Sequence, residues 1–480
     1  MSILVIDVGT SGVRAAVVRP DATVAIEARR EVLPDTPAPG LVEFDAAAMA
    51  SAALDVARQV LTEHGPVEAV GIANQRASAV VWDRATGEPV APGLGWQDLR
   101  TVGDCLVLQA DGLRLAPNQS ATKIANLLDG ADPDRDRDLC AGTVDTWITW
   151  HLTGGASHVT DLTNAAVTGL LDGPATGWDP VVLDRLRIPS DALPRLVDSS
   201  GVIAEASALP GAPPICGLAG DQQASLIGQG CVTRGPAKIT FGTGGMLDLV
   251  TGPERPIAAA RSEAGTFPIV TWRRGDELVW GLEAIMLSAG TNVEWLRDDM
   301  GLLATVAESH DVAQGCTDTD GVVYVPALLG LGTPHWDYGA RGTLLGVTRG
   351  TGRAQVVRAV LEGVAHRGAD LVEAAAADAG QAIESLRVDG GMSDNPTFVQ
   401  ALADATGRSV EVSPVTEATT LGAAFLAGLA IGTWAGWDDV AATWDPRLVV
   451  DPASRPDRDR WQRAVARARE WYPELSGLDF

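Results

Sequence analysis

The feature that most limits how this chain can fold is a pair of glycine-rich turns of the same shape, one in each half. The first is Asp7-Val8-Gly9-Thr10-Ser11-Gly12, entered by the apolar run Ile3 to Ile6 and left by Val13-Arg14-Ala15-Ala16-Val17-Val18. The second is Phe241-Gly242-Thr243-Gly244-Gly245, entered by Ala237-Lys238-Ile239-Thr240 and left by Met246-Leu247-Asp248-Leu249-Val250. Each reads as strand, tight turn, strand. Glycine lets a backbone come close to an anion, and successive N–H groups in such a turn form an anion-binding concavity. Neither turn leads into a helix and neither carries the lysine of a Walker A loop, which sets both apart from a P-loop. One such turn alone is as readily an ordinary hairpin. Two of them, one per half, predict a phosphate clamp shared between two lobes.

A chain of 480 residues is too long for one core, and it divides into domains over 1–225 and 226–480. With 46% apolar residues it can fill both. A net charge of −26 argues against nucleic acid or an anionic membrane as partner, since either needs a basic face. No stretch has the build of a signal peptide, because Asp7 interrupts the first apolar run. The most membrane-like segment, Leu421 to Trp437, is rich in Gly and Ala and reads as a buried helix followed by a turn. Five scattered cysteines with no C-x-x-C argue against a disulfide framework or a zinc site, and a cytoplasmic location is expected. Lys123 and Lys238 are the only lysines. This reads as a compositional bias without functional meaning.

Along the chain, strands alternate with helices in both halves, which predicts α/β layering. Helices are expected over Ala46–Glu63, Arg353–Ala379 and Asn395–Thr406, and strands over Val67–Ala73, Ile215–Ala219, Leu386–Val388 and Val410–Val412. Leu162 to Pro214, broken by prolines and glycines, reads as loops with short helices. In open α/β sheets ligands gather at the carboxyl ends of strands. Three strand ends here carry polar clusters: Asn74-Gln75-Arg76, Asp221-Gln222-Gln223 and Asp389-Gly390-Gly391. They predict a cleft between two α/β domains.

The segments Asp7–Gly12, Asn74-Gln75-Arg76, Trp96-Gln97-Asp98, Asp145-Thr146-Trp147, Gly220-Asp221-Gln222-Gln223, Phe241-Gly242-Thr243-Gly244, Arg387 to Gly391 and Thr416 to Ala427 together resemble the FGGY carbohydrate kinases, most closely the glycerol kinases. The resemblance runs nearly the whole length of the chain. It implies two actin-like (ribonuclease H-like) domains closing over ATP–Mg²⁺ and a small polyol or sugar, with the γ-phosphoryl group passing to a terminal hydroxyl. It leaves a homodimer open. By the same resemblance Asp221 is the base, Asp7 holds Mg²⁺, and Gly9, Thr10, Ser11, Gly12 and Arg14 grip one end of the phosphates. Gly242, Thr243 and Gly244 grip the other end, while Gly390, Gly391 and Asn395 match the adenosine-binding loop. The chemistry agrees independently: an alcohol attacking phosphorus needs a carboxylate to take its proton, and the rest is positioning and charge neutralisation.

Arg76, Trp96, Asp221 and Gln222 match the resemblance's acceptor contacts. Ala77, Asn118 and Met246 stand where it implies Glu, Tyr and Phe. Losing a carboxylate, a phenol and a ring enlarges the pocket and makes it less selective for glycerol, by about 1–3 kcal/mol for each unpaired hydroxyl. A longer polyol or a ketopentose such as xylulose is the neighbouring reading. An actin-like ATPase without a small substrate is the reading from another class, and the Arg76 and Trp96 cluster argues against it.

Overall fold

A computed structural model describes residues 1–258, 260–415 and 418–478; Thr416 and Glu417 of the last matching segment lie outside these. The first half is built on a six-stranded sheet. Its strands are β1 (Ile3–Val8), β2 (Gly12–Val18), β3 (Val24–Glu31), β4 (Ala69–Asn74), β5 (Ser200–Glu205) and β6 (Pro214–Gly220), in the order β5-β6-β4-β1-β2-β3. The second half has β7 (Ala237–Phe241), β8 (Gly245–Gly252), β9 (Phe267–Arg274), β10 (Glu277–Met286), β11 (Leu386–Asp389), β12 (Val410–Val412) and β13 (Leu448–Val450), ordered β9-β10-β8-β7-β11-β12-β13. In each sheet an antiparallel hairpin extends to a third antiparallel strand on one side. Two parallel strands follow on the other side. The repetition seen in two short turns is therefore a repetition of whole sheets.

Local chemistry explains the main elements. Helix α1 (Ala46–His64) starts at Asp45, whose carboxylate accepts from Ala48 N at 2.9 Å, and stops at Gly65 with φ 98°. Its Ala-rich apolar face covers the first sheet, where β1 and β4 are buried along almost their whole length. The 27-residue helix α2 (Arg353–Ala379) and helix α3 (Pro396–Thr406) cover the second sheet.

Two short helices join the halves. Helix α4 (Asp221–Gly228) leaves the end of β6, and helix α5 (Ala418–Ile431) comes from the far end of the sequence to cross it. A methyl group on Gly422 would lie 1.8 Å from Ala224 O, and one on Gly228 would lie 1.8 Å from Ala418 O. The backbones can approach this closely only because both positions are glycine. Helix α5 packs on β4, β6 and β1, so a segment from the second half covers the first half's sheet, in a core with Val250 and Trp272. This is the segment that looked most membrane-like. No described helix is long and apolar enough to cross a membrane.

Strands β3, β9 and β10 are not among the strands expected from the sequence: β3 neither alternates cleanly nor forms an apolar run, while β9 and β10 are largely apolar stretches on either side of Gly275-Asp276. Within Leu162 to Pro214, read as loops and short helices, β5 is an edge strand with an irregular register against β6. All five cysteines are free thiols.

Candidate active site

The first glycine turn closes with Gly9 N donating to Gly12 O at 2.9 Å. A Cβ on Gly12 would sit 2.7 Å from Arg30 O, so the neighbouring strand requires glycine there. Register then sets Asp7 opposite Arg14, and Arg14 opposite Arg29. Withdrawal from water and the nearby Asp221 carboxylate raise the Asp7 pKa to about 6, against the lowering pull of Arg14 and Arg29. Asp7 and Asp221 thus feel one another across the end of the first sheet.

At the strand end Asn74-Gln75-Arg76 the three side chains divide. Asn74 exchanges carboxamide hydrogen bonds with Asn164, which donates to Asp161 at 2.9 Å. Gln75 donates to Gly9 O at 3.2 Å and braces the first turn. Only Arg76 reaches the cleft, where Nη2 meets Glu283 at 2.6 Å and Nε lies 3.4 Å from Asp221. Asp221 opens α4 and accepts from Gln222 N at 2.8 Å. Burial lifts its pKa above the ordinary carboxylate value; Arg76, the Gln222 N–H and Lys238 oppose this, and Glu283 adds to it.

The second turn joins β7 to β8, and its carbonyls are held from outside: Ala289 N donates to Thr243 O at 2.8 Å and Gly290 N to Gly242 O at 2.9 Å. A Cβ on Gly244 would meet Met286 O at 2.7 Å, whereas Gly242 faces open space. Behind the turn, cross-strand register lines up Lys238, Asp248 and Glu283 on β7, β8 and β10. Lys238 Nζ lies 2.7 Å from Asp248, with both side chains fully buried. Burial raises the Asp248 pKa and Lys238 restrains it. Met246, two residues before Asp248, presents to the same sheet face.

Gly390 has φ 84°, and a Cβ there would lie 2.4 Å from Phe241 O, which seats the loop after β11 against the strand leading into the second turn. Asn395 caps α3 by accepting from Phe398 N at 3.1 Å and donates to Ser309 Oγ at 2.9 Å, so both ends of its carboxamide are engaged. Trp96 Nε1 donates to Thr10 Oγ1 at 3.1 Å, joining an expected acceptor contact to an expected phosphate contact. Ala77 adopts φ 59° and Asn118 is solvent-exposed.

The sequence reading missed Glu283, Asp248 and both lysines. For Asp248 a signal existed: counting three residues outward on each side of the second turn pairs it with Lys238. Nothing in the sequence brings Glu283 to Arg76.

Two family models match the chain: the N-terminal domain of the FGGY family of carbohydrate kinases over residues 2–228, and its C-terminal domain over 237–431. The chain belongs to the FGGY family of carbohydrate kinases. It is an ATP-dependent sugar or polyol kinase with an actin-like fold. A glycerol kinase of Aromatoleum aromaticum is 41% identical over 98% of this chain and 99% of its own length, and one of Trichlorobacter lovleyi is 42% identical over the same shares. Among solved structures, Plasmodium falciparum glycerol kinase with ADP superimposes with TM-score 0.90 at 29% identity, covering 97% of this chain and 98% of that one. A Brucella ovis protein described as a xyloylose kinase gives TM-score 0.85 at 25% identity over 100% of both chains.

Proposed function

We propose that this kinase phosphorylates a terminal hydroxyl of a short polyol, with Asp221 as the base and the two glycine turns as the phosphate clamp. The observation that carries this is the place of Asp221. Its carboxylate stands at the end of β6, 3.4 Å from Arg76 and within the electrostatic reach of Asp7 at the end of β1. Arg76, Trp96 and Gln222 orient the acceptor so that its terminal O–H points at Asp221. The carboxylate takes that proton as the oxygen bonds to the γ-phosphorus, and the bond to the ADP oxygen breaks. Burial raises its pKa, which makes the Asp221 carboxylate a stronger base.

The backbone N–H groups of Gly9 to Gly12 and of Gly242 to Gly244 hold the phosphates, and Gly390 with Gly391 lets adenosine lie against bare backbone. Asp7 fits a Mg²⁺ ion. The Asp221 carboxylate raises the Asp7 pKa, and a carboxylate so placed beside another attracts a hard divalent cation. Mg²⁺ is a cation held by one or two carboxylates together with substrate phosphates. When bound, Mg²⁺ neutralises charge on the transferring phosphates.

The names of the relatives support a glycerol-like acceptor. Ala77, Asn118 and Met246 support a pocket that favours a four- or five-carbon polyol over glycerol itself. The xyloylose kinase likeness supports a ketopentose as the second reading, which a substrate panel separates. Asp221→Asn keeps the shape without the basicity, so it is expected to lower transfer by roughly 10²–10⁴-fold with nucleotide binding intact. Near-normal turnover in that variant would remove Asp221 from the role.

A further inference from the structure

Of 36 basic side chains in this chain only two are lysine, and both are completely buried behind the acceptor pocket. Lys123 Nζ donates to Ala77 O at 3.1 Å, Trp96 O at 3.4 Å and Asn118 O at 3.0 Å. Those three carbonyls belong to three of the seven residues assigned to the acceptor; an antiparallel bridge between Ala79 and Leu94 ties the Ala77 and Trp96 segments to each other, and the ammonium adds Asn118 to them. Lys238 Nζ donates to Gln222 Oε1 at 2.6 Å and Thr240 Oγ1 at 3.1 Å, and it lies 2.7 Å from Asp248. Each ammonium therefore has three partners for three N–H groups. A planar guanidinium, larger and with five donors in a fixed fork, cannot replace a compact tetrahedral donor in such a setting.

We propose that Lys123 and Lys238 are the positioning residues of the acceptor pocket: Lys123 sets the backbone of its three loops, and Lys238 fixes the orientation of the Gln222 amide. The second half has a direct chemical consequence. An ammonium has no acceptor, so the amide oxygen must face Lys238, and the amide offers its NH₂ group to a ligand. Gln222 then reads an acceptor oxygen on the substrate, a hydroxyl lone pair or a carbonyl. On the Lys123 side, Ala77 is a non-glycine residue at φ 59°, a conformation that persists only where its surroundings enforce it. Its carbonyl is held by the ammonium. Lys123 contacts no carboxylate, and burial lowers its pKa to about 7, opposed by Asp98 and the Cys105 thiol. The three carbonyl oxygens are its hydrogen-bond partners in that buried site.

The proposal rests on Ala77, Trp96, Asn118 and Gln222 being acceptor contacts, so the test includes that reading. Kinetics with ATP and a panel of three- to five-carbon polyols and ketoses would be measured for Lys123→Met, Lys123→Arg and the double variant Lys238→Met/Asp248→Leu. The double variant removes the pair together and leaves no buried carboxylate without a partner. Trp96→Ala and Gln222→Ala serve as the direct-contact controls. The expected result is an acceptor KM raised roughly tenfold or more in the Lys123→Met and double variants with ATP KM within about twofold, as loss of ground-state positioning on one side of the cleft requires. Lys123→Arg is expected not to restore it. If Lys123→Met does not fold, the double variant and Lys123→Gln, which keeps two donors, decide the matter. Folded lysine variants with unchanged acceptor KM, or with ATP and acceptor KM raised alike, overturn the proposal while leaving the pocket reading intact. Unchanged acceptor KM in Trp96→Ala and Gln222→Ala overturns the pocket reading and the proposal with it.

Discussion

Asp221 stands where three charges set its basicity, and one of them, Glu283, is not itself an assigned acceptor contact. Glu283 raises the Asp221 pKa and shares Arg76 with it, at 2.6 Å from the guanidinium against 3.4 Å for Asp221. In Glu283→Gln the raising charge disappears and Arg76 is left with Asp221 as its one carboxylate partner of the two, so both effects lower the pKa. The carboxylate is the active form, so the acid limb of kcat moves to lower pH, while the weaker base slows turnover at neutral pH. A pH–rate profile checks this, and an acid limb moving upward would contradict it. At Gly390 the constraint is steric. With φ 84° and a Cβ 2.4 Å from Phe241 O, Gly390→Ala should cost about 1–3 kcal/mol and raise the ATP KM more than the acceptor KM. Residues of this kind differ in how legible they were. Asp7, Arg76 and Asp221 lie within motifs and could be read directly. Glu283 sits in an apolar strand, Leu278 to Met286, and meets Arg76 only through contact between the two halves.

At the scale of elements, the turns and the long helices were readable because local chemistry decides them. Helix α2 has the limits that its periodicity implied, and α3 carries Asn395, Pro396 and Gly407 at the positions where capping wants them. The third strand of the first sheet, β3, was not readable, since pairing with a neighbour rather than pattern makes it a strand, whereas β10 carries an apolar run that the sequence reading missed. The crossing of α4 and α5 is also a tertiary fact. Gly422→Ala would drive a methyl group into Ala224 O, where 1.8 Å is available, and the obstacle is backbone that cannot rotate away. About 3 kcal/mol of stability should be lost, measured by denaturant unfolding. Because Asp221 begins α4, kcat should fall as well. A variant as stable and active as the parent would mean that the crossing is looser than the structure has it.

For the whole molecule, the duplicated sheet and the shared core around α5 describe two lobes tied together through that core. Transfer to water has to be suppressed while an alcohol is positioned, so the lobes are expected to close on ATP and acceptor together. Helix α4 is pinned by α5, which leaves the bend to residues 229–236, between Gly228 and β7. Scattering profiles with polyol plus a non-hydrolysable nucleotide should show a smaller radius of gyration than the free protein. Identical profiles would count against closure. The central claim is that ATP is spent on an alcohol held between Arg76, Trp96, Gln222 and Asp221. The measurement that reaches it most directly is ADP release across three- to five-carbon polyols and ketoses, with the phosphorylated product counted alongside. The account predicts ADP and sugar or polyol phosphate formed one for one, little ATP turnover without acceptor, and a four- or five-carbon polyol preferred over glycerol. Steady ATP turnover that no acceptor alters would contradict it.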